Sequence, residues 1–149
     1  MEEYKKIKIA LVDDHAGIRK TIAGYLAEMD LEVSIDAESG EELLKKLAIA
    51  TDRPDVCLID YSMPRMMGDE LAAKLREAYP SIKLAAMTGN MDTTCLIKMI
   101  KNGCDSFFIK SSNPLEWHRG IVALLNKGHY YTEWMEQSLL QLIRIGGLP

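Results

Sequence analysis

The chain has only three cysteines, Cys57, Cys95 and Cys104, and they stand at no metal-ligand spacing. That argues against a zinc site or a disulfide framework and fits a reducing, cytoplasmic setting. There is no basic excess. The 18 Lys and Arg are outnumbered by 22 Asp and Glu for a net charge of −4, so no strong positive field invites nucleic acid. No apolar run approaches the length of a membrane span. The start, Met1 to Lys6, lacks the basic-then-apolar pattern of a signal peptide, and no membrane contact is expected. Internal repeats and low-complexity tracts are absent, as is a Gly-x-Gly-x-x-Gly dinucleotide loop. His15 and His118 have no partner histidine at ligand spacing and read as loop or helix-surface residues. What is present is 149 residues, 48% hydrophobic and 27% charged, ordinary for one globular domain with a sizeable core.

Short apolar segments alternate with helical periodicity along this domain. Strands are expected at residues 7–12, 31–35, 56–59, 82–87 and 106–109. The second alternates strictly, as a half-exposed edge strand does. Ile18, Ile22, Leu26 and Met29 share one face of a first helix. Ser39 caps a second, with Glu42 completing a capping box and Leu43, Leu44 and Leu47 as the stripe. Gly68 opens a third helix (Leu71, Leu75, Ala78), which Pro80 stops. Asp92 or Thr93 starts a fourth (Leu96, Ile97, Ile100). Asn113-Pro114 starts a fifth (Ile121, Val122, Leu125), and Gly128 lies just past its end. Five strand–helix repeats with right-handed crossovers imply a doubly wound α/β fold around a parallel five-stranded sheet. After Thr132, Trp134, Leu139, Leu140 and Ile143 predict one more amphipathic helix, followed by Gly146-Gly147. Its apolar face is expected to pack on the domain, on a second copy, or on a further domain.

The stretch from Asp55 to Pro64 organises the rest. Val56 to Ile59 reads as a strand buried on both faces, and Asp60 closes it. Met63-Pro64 forbids an immediate helix, so a carboxylate is presented on a loop at a strand's carboxyl end, where α/β sheets hold ligands. Asp13 and Asp14 follow the first strand, Thr88 the fourth and Lys110 the fifth. If the first and third strands are neighbours, three carboxylates converge. Such a group raises the pKa of its members or recruits a cation. Oxygen ligands favour a hard ion, and Mg2+ suits carboxylates plus a phosphate oxygen. Lys110 offers a point charge and Thr88 a hydroxyl donor, which together can hold a phosphoryl group at a nucleophilic carboxylate. Each residue alone has an ordinary structural role as a cap or a solvated strand end. Met63, Met66 and Met67 read as packing around the loop.

The elements Leu11-Val12-Asp13-Asp14-His15, Asp60 with Met63-Pro64 and Gly68, Thr88, and Phe107-Phe108-Ile109-Lys110 resemble the receiver domain of two-component response regulators. Asn102-Gly103-Cys104 and Gly128-His129-Tyr130-Tyr131 resemble the subfamily with a C-terminal LuxR/NarL-type helix-turn-helix domain. The resemblance implies a flavodoxin-like sheet in the order 2-1-3-4-5 with helices on both faces. It implies that Asp60 is the phosphoacceptor, charged by a sensor histidine kinase. Asp13, Asp14 and the Ser62 main-chain carbonyl would hold Mg2+ beside Asp60, with Asp14 the direct carboxylate ligand. Thr88 and Lys110 would bind phosphoryl oxygens, and Phe107 would be the aromatic switch that turns in when Thr88 is drawn to the phosphate. The chain departs from the family pattern at Met67, Cys104, Phe107 and Ser111, none of which touches the phosphorylation chemistry. Phe107 lacks the hydroxyl of the commoner tyrosine, so the switch must work through packing.

On this reading residues 1–131 form the receiver. Residues 132–149 form a helix or linker leading toward an output domain, and phosphorylation promotes a homodimer. The function is a switch, acting on transcription through its output and autocatalysing only its own phosphorylation and dephosphorylation. The alternative is a stand-alone regulator acting by protein contacts. A tail with one basic residue, Arg144, gives this chain no direct nucleic acid binding. A haloacid-dehalogenase-type phosphohydrolase would need a carboxylate where Ser62 stands, and a flavin or dinucleotide module would meet repulsion from Asp13 and Asp14.

Overall fold

Parallel strands need long crossovers, and here each crossover is a helix. The computed structural model describes residues 5–146. Met1 to Tyr4, and Gly147 after the last helix, lie outside the described residues. The order is β1 (Lys8–Val12), α1 (Ala16–Glu28), β2 (Glu32–Ala37), α2 (Gly40–Ile49), β3 (Val56–Asp60), α3 (Gly68–Ala78), β4 (Lys83–Thr88), α4 (Thr93–Lys101), β5 (Ser106–Ile109), α5 (Pro114–Lys127) and α6 (Glu133–Arg144). The strands form one parallel sheet, β2-β1-β3-β4-β5, as expected. No helix among the described residues is long and apolar enough to cross a membrane.

Alternation along the strands sends side chains to two layers. Ala10, Val12, Cys57, Ile59 and Ala86 meet Leu43 and Leu47 of α2, Leu71 and Leu75 of α3, and Leu96 and Met99 of α4. Ile9, Leu11, Val56, Leu58, Ala85 and Met87 meet Ile22 and Leu26 of α1 and Trp117, Ile121 and Leu124 of α5. Every residue of β3 is buried, which is why its sequence is a continuous apolar run. β2 lies at the edge and alternates as expected. It extends two residues beyond the expected end because Asp36 and Ala37 pair with Leu11 and Val12.

Five helix faces depart from the periodicity: in α1 Ile18 is exposed, and in α3 Ala78 is exposed while Ala72 is buried. In α4 the buried residues are Cys95, Leu96 and Met99, while Ile97 and Ile100 are half-buried. In α5 the buried face is Trp117, Gly120, Ile121 and Leu124, with Val122 and Leu125 half-buried. Gly120 sets that face, since a Cβ there would lie 2.4 Å from the Phe108 ring. Phe108 itself is stacked between Trp117, at 4.9 Å, and Tyr130, at 5.8 Å. In α6 Met135 is fully buried in the first layer, Trp134 packs against it, and Leu140 and Ile143 are exposed. The α2 cap is also half of the expected box. Ser39 Oγ accepts from Glu42 N–H at 3.1 Å, but the Glu42 carboxylate accepts from Glu38 N–H and pairs with Lys46.

Candidate functional site

Val12 pairs with Ile59 across β1 and β3, so Asp13 and Asp60 emerge side by side. Asp13 is fully buried. Its Oδ1 accepts from His15 N–H at 2.8 Å, and its carbonyl accepts from Arg19 Nη1 at 2.5 Å. These bonds fix the turn after β1. Asp13 Oδ2 lies 2.8 Å from Lys110 Nζ, which also reaches Asp60 Oδ1 at 3.1 Å. One ammonium therefore bridges two buried carboxylates at the ends of adjacent strands. Asp14 is less enclosed. Its Oδ1 is buried without a hydrogen-bond partner among the described residues, and His15 Nδ1 stands 3.3 Å away. Ligand atoms of Asp13, Asp14, His15 and Asp60 all lie within 4.8 Å of one another.

The loop carrying Asp60 is held by a close approach. Gly68 N–H donates to the Tyr61 carbonyl at 2.8 Å. A Cβ on Gly68 would stand 2.6 Å from the Asp60 carbonyl oxygen and 2.7 Å from Tyr61 Cα, so only glycine lets α3 start against the strand end. Met63 and Met66 are buried beneath this loop, as expected of packing residues. Met67 is the N-cap of α3 and makes no side-chain cap bond. Ser62 is exposed on the loop two residues past Asp60.

Electrostatics follow from this crowding. Burial, then the Asp13 charge, push the Asp60 carboxyl up to about 7, against the opposing pull of Lys110. The neighbouring Asp14 side chain adds to the rise. Lys110 loses some basicity to burial, but its bond to Asp13 and the Asp60 charge outweigh that and raise it overall. An excess of carboxylate over ammonium, with a buried unpartnered Asp14 oxygen, is an environment that a hard dication satisfies. The donor set therefore fits Mg2+, with Asp14 the freest carboxylate.

Thr88 ends β4 half-buried. Its Oγ1 accepts from Asn90 N–H at 3.5 Å, and its side chain stands beside the Cys95 thiol, where it opposes the rise in that thiol's pKa. Burial, first, pushes that thiol up to about 12, so Cys95 is a neutral partner. Phe107 is 1% exposed, with Trp134 over it at 5.8 Å and 45° between the rings. The expected turning-in of this residue therefore starts from a side chain already covered.

The structure thus brings together Asp13, Asp14, Asp60 and Lys110, with Thr88 at the end of the next strand, Ser62 on the adjoining loop and Phe107 on β5. It adds His15, which sequence reasoning left on the loop. The search for histidine pairs could not find it, because its partners are carboxylates; its adjacency to Asp14 was the available signal. His118 is exposed on α5, as expected.

Residues 9–121 match the family described as the response regulator receiver domain. The chain is 32% identical over 134 residues to the response regulator GacA of Pseudomonas syringae pv. syringae, covering 89% of this chain and 62% of that protein. It is 28% identical to the transcriptional regulatory protein DegU of Brevibacillus brevis, covering 93% of this chain and 58% of that protein. The chain thus spans about three-fifths of the length of these relatives. Among solved structures it resembles a LuxR-family two-component response regulator from an Aurantimonas species, with TM-score 0.79 and 23% identity over 95% of this chain and 99% of that one. It also resembles the RcsB response regulator of Salmonella typhimurium, with TM-score 0.80 and 21% identity over 97% of this chain and 70% of that one. At those identities the likeness speaks for the fold.

Proposed function

The chain belongs to the response regulator receiver family, and from that premise we propose that Asp60 accepts a phosphoryl group from a sensor histidine kinase. The observation that carries this reading is the Lys110 ammonium bridging Asp13 and Asp60 where β1 and β3 end. An Asp60 oxygen attacks phosphorus, the phosphorus–nitrogen bond of the kinase phosphohistidine breaks, and its electron pair stays on the imidazole. Lys110 and Thr88 hold the equatorial phosphoryl oxygens. Asp13, Asp14 and the Ser62 main-chain carbonyl, beside Asp60, would hold Mg2+, which when bound supplies charge neutralisation for the transfer. Asp13 also orders the loop through His15 N–H. Hydrolysis of the acyl phosphate in the same site resets the chain, so it autocatalyses its own cycle without turning over a free substrate.

Drawing Thr88 to the phosphoryl group repositions the loop after β4 and repacks Phe107, which biases the surface of α4, β5 and α5. Residues 1–131 act as the receiver. Residues 132–149 lead from it toward a transcriptional output, as the names of the relatives suggest, and the phosphorylated form pairs as a homodimer. Both steps with the kinase take place in the cytoplasm, and this chain alone does not bind nucleic acid. A second reading, a stand-alone regulator acting by protein contacts, is favoured by the burial of Met135 from α6 within the receiver core. The test of the primary reading is incubation with acetyl phosphate and Mg2+. Intact mass should show one labile phosphate that disappears in Asp60→Asn and without the metal. Equal labelling of wild type and Asp60→Asn would overturn the assignment.

A further inference from the structure

α6 folds back over the receiver. Thr132 caps it by accepting Met135 N–H at 3.3 Å, which turns Met135 downward. Met135 is fully buried in the layer that holds Cys95, Leu96 and Met99 of α4 and Phe107 of β5. Trp134, one residue earlier, covers the Phe107 ring. The Thr88 side chain meanwhile stands beside Cys95. The two residues that the phosphoryl site would move, Thr88 and Phe107, therefore each touch the bed on which α6 lies.

Open grooves flank this seam. A groove of about 290 Å³ opens beside the start of α6, lined by residues including Met91, Phe107, Phe108, Glu116, Thr132 and Trp134. A second, smaller groove of about 230 Å³ opens between α6 and the start of α4, lined by Thr93, Ser138, Gln141, Leu142 and Ile145. A helix of 12 residues is marginal in water by itself, so the order of α6 depends on contacts with α4 and β5.

We propose that the α4–β5 face is a docking surface whose resting occupant is this chain's own α6, and that phosphorylation of Asp60 loosens that occupant through Cys95 and the Phe107–Trp134 contact. The proposal rests on the phosphoacceptor reading above. Drawing Thr88 toward the phosphoryl group takes its side chain away from Cys95. Phe107 repacks into the volume Thr88 leaves and draws away from Trp134. Coupling is reciprocal: if phosphorylation weakens α6 docking, α6 docking disfavours the phosphorylated state.

The experiment uses the full chain as Trp117→Phe, which keeps an aromatic ring on Phe108 and leaves Trp134 as the reporter. Acetyl phosphate and Mg2+ supply the phosphate, and intact mass gives its stoichiometry. Hydrogen exchange of α6 and Trp134 emission are read on the same sample. Phosphorylation should speed exchange in α6 by about fivefold or more, the lower end of ordinary allosteric coupling, and should shift Trp134 emission to the red. Exchange in α5 should hold. Trp134→Ala, in the natural Trp117 background, should raise phosphate occupancy under limiting donor by a similar factor. Full phosphate with unchanged or slowed α6 exchange would overturn this proposal alone. Absence of phosphate by mass would overturn the phosphoacceptor reading and this proposal with it.

Discussion

Replacing Asp60 by Asn should stabilise the metal-free protein, and the gain should depend on pH. The Asp60 carboxyl is 4% exposed and is pushed from an ordinary 3.8 to about 7, by burial first and the Asp13 charge second. At about 1.36 kcal/mol per pH unit, keeping it ionised at neutral pH costs the fold about 4 kcal/mol. Because the folded value is raised, the favourable contribution is complete below about pH 3.8 and is lost as pH rises through about 7. Between pH 5 and pH 7.5 the wild type should therefore lose about 2 kcal/mol relative to Asp60→Asn. Asn abolishes the ionisation but weakens the contact with Lys110, which keeps Asp13 at 2.8 Å. We therefore expect a net gain of about 2 kcal/mol at pH 7.5, or about 4–8 °C in Tm for a domain of this size. Thermal and urea unfolding in EDTA at both pH values is the assay. A variant less stable than wild type at pH 7.5, or a difference that stays flat between pH 5 and pH 7.5, would refute the argument that Asp60 is strained by its surroundings.

Mg2+ should raise the wild-type Tm, by about 1.4 kcal/mol of stability at tenfold excess over its Kd, and Asp14→Ala should abolish the rise. Superimposable wild-type melting curves with Mg2+ and with EDTA would show that the carboxylates share no cation. Gly68→Ala should cost about 2 kcal/mol or more, since its methyl meets backbone at 2.6 Å and nothing flexible can yield; it should also slow phosphorylation by shifting the Asp60 loop, and an unchanged rate would count against the loop's role in placing Asp60. A gel-shift titration on duplex DNA at low salt should show no retardation at micromolar protein, since the net charge is −4; salt-sensitive binding would contradict the proposal that this chain alone leaves nucleic acid untouched.

The strands and the residues at their ends were legible because their signals are local. Val56 to Asp60 is an unbroken apolar run closed by an acid, and Pro64 and Gly68 punctuate the loop that follows. Asn113-Pro114 and Gly128 marked α5 for the same reason, and the structure places Asn113 at its N-cap and Gly128 at its C-cap. The face that α5 buries was not legible. It is set by the approach of Gly120 to Phe108, a residue from another strand, which periodicity cannot register. The same holds for α6, where Met135 rather than Leu140 or Ile143 faces inward because the Thr132 cap fixes the first turn. His15 was within reach of sequence reasoning through its adjacency to Asp13 and Asp14, whereas Asp60 joins them only because β1 and β3 lie side by side. The cover of Trp134 over Phe107 likewise joins separate segments of the chain.

Phe108 has a bearing on the strand as a whole. It sits one residue from Phe107 and points to the opposite layer, clamped between the Trp117 and Tyr130 rings with interplanar angles of 14° and 13°. Ser106 Oγ, two residues before it, is tied to the Tyr130 carbonyl at 2.6 Å. β5 is thus held differently on its two sides: its α5 face carries stacked rings, and its α4 face carries the Phe107 ring with Trp134 tilted over it. Any displacement of the strand's end that the proposed phosphorylation produces would meet stacked rings on one side and the single Phe107–Trp134 contact on the other.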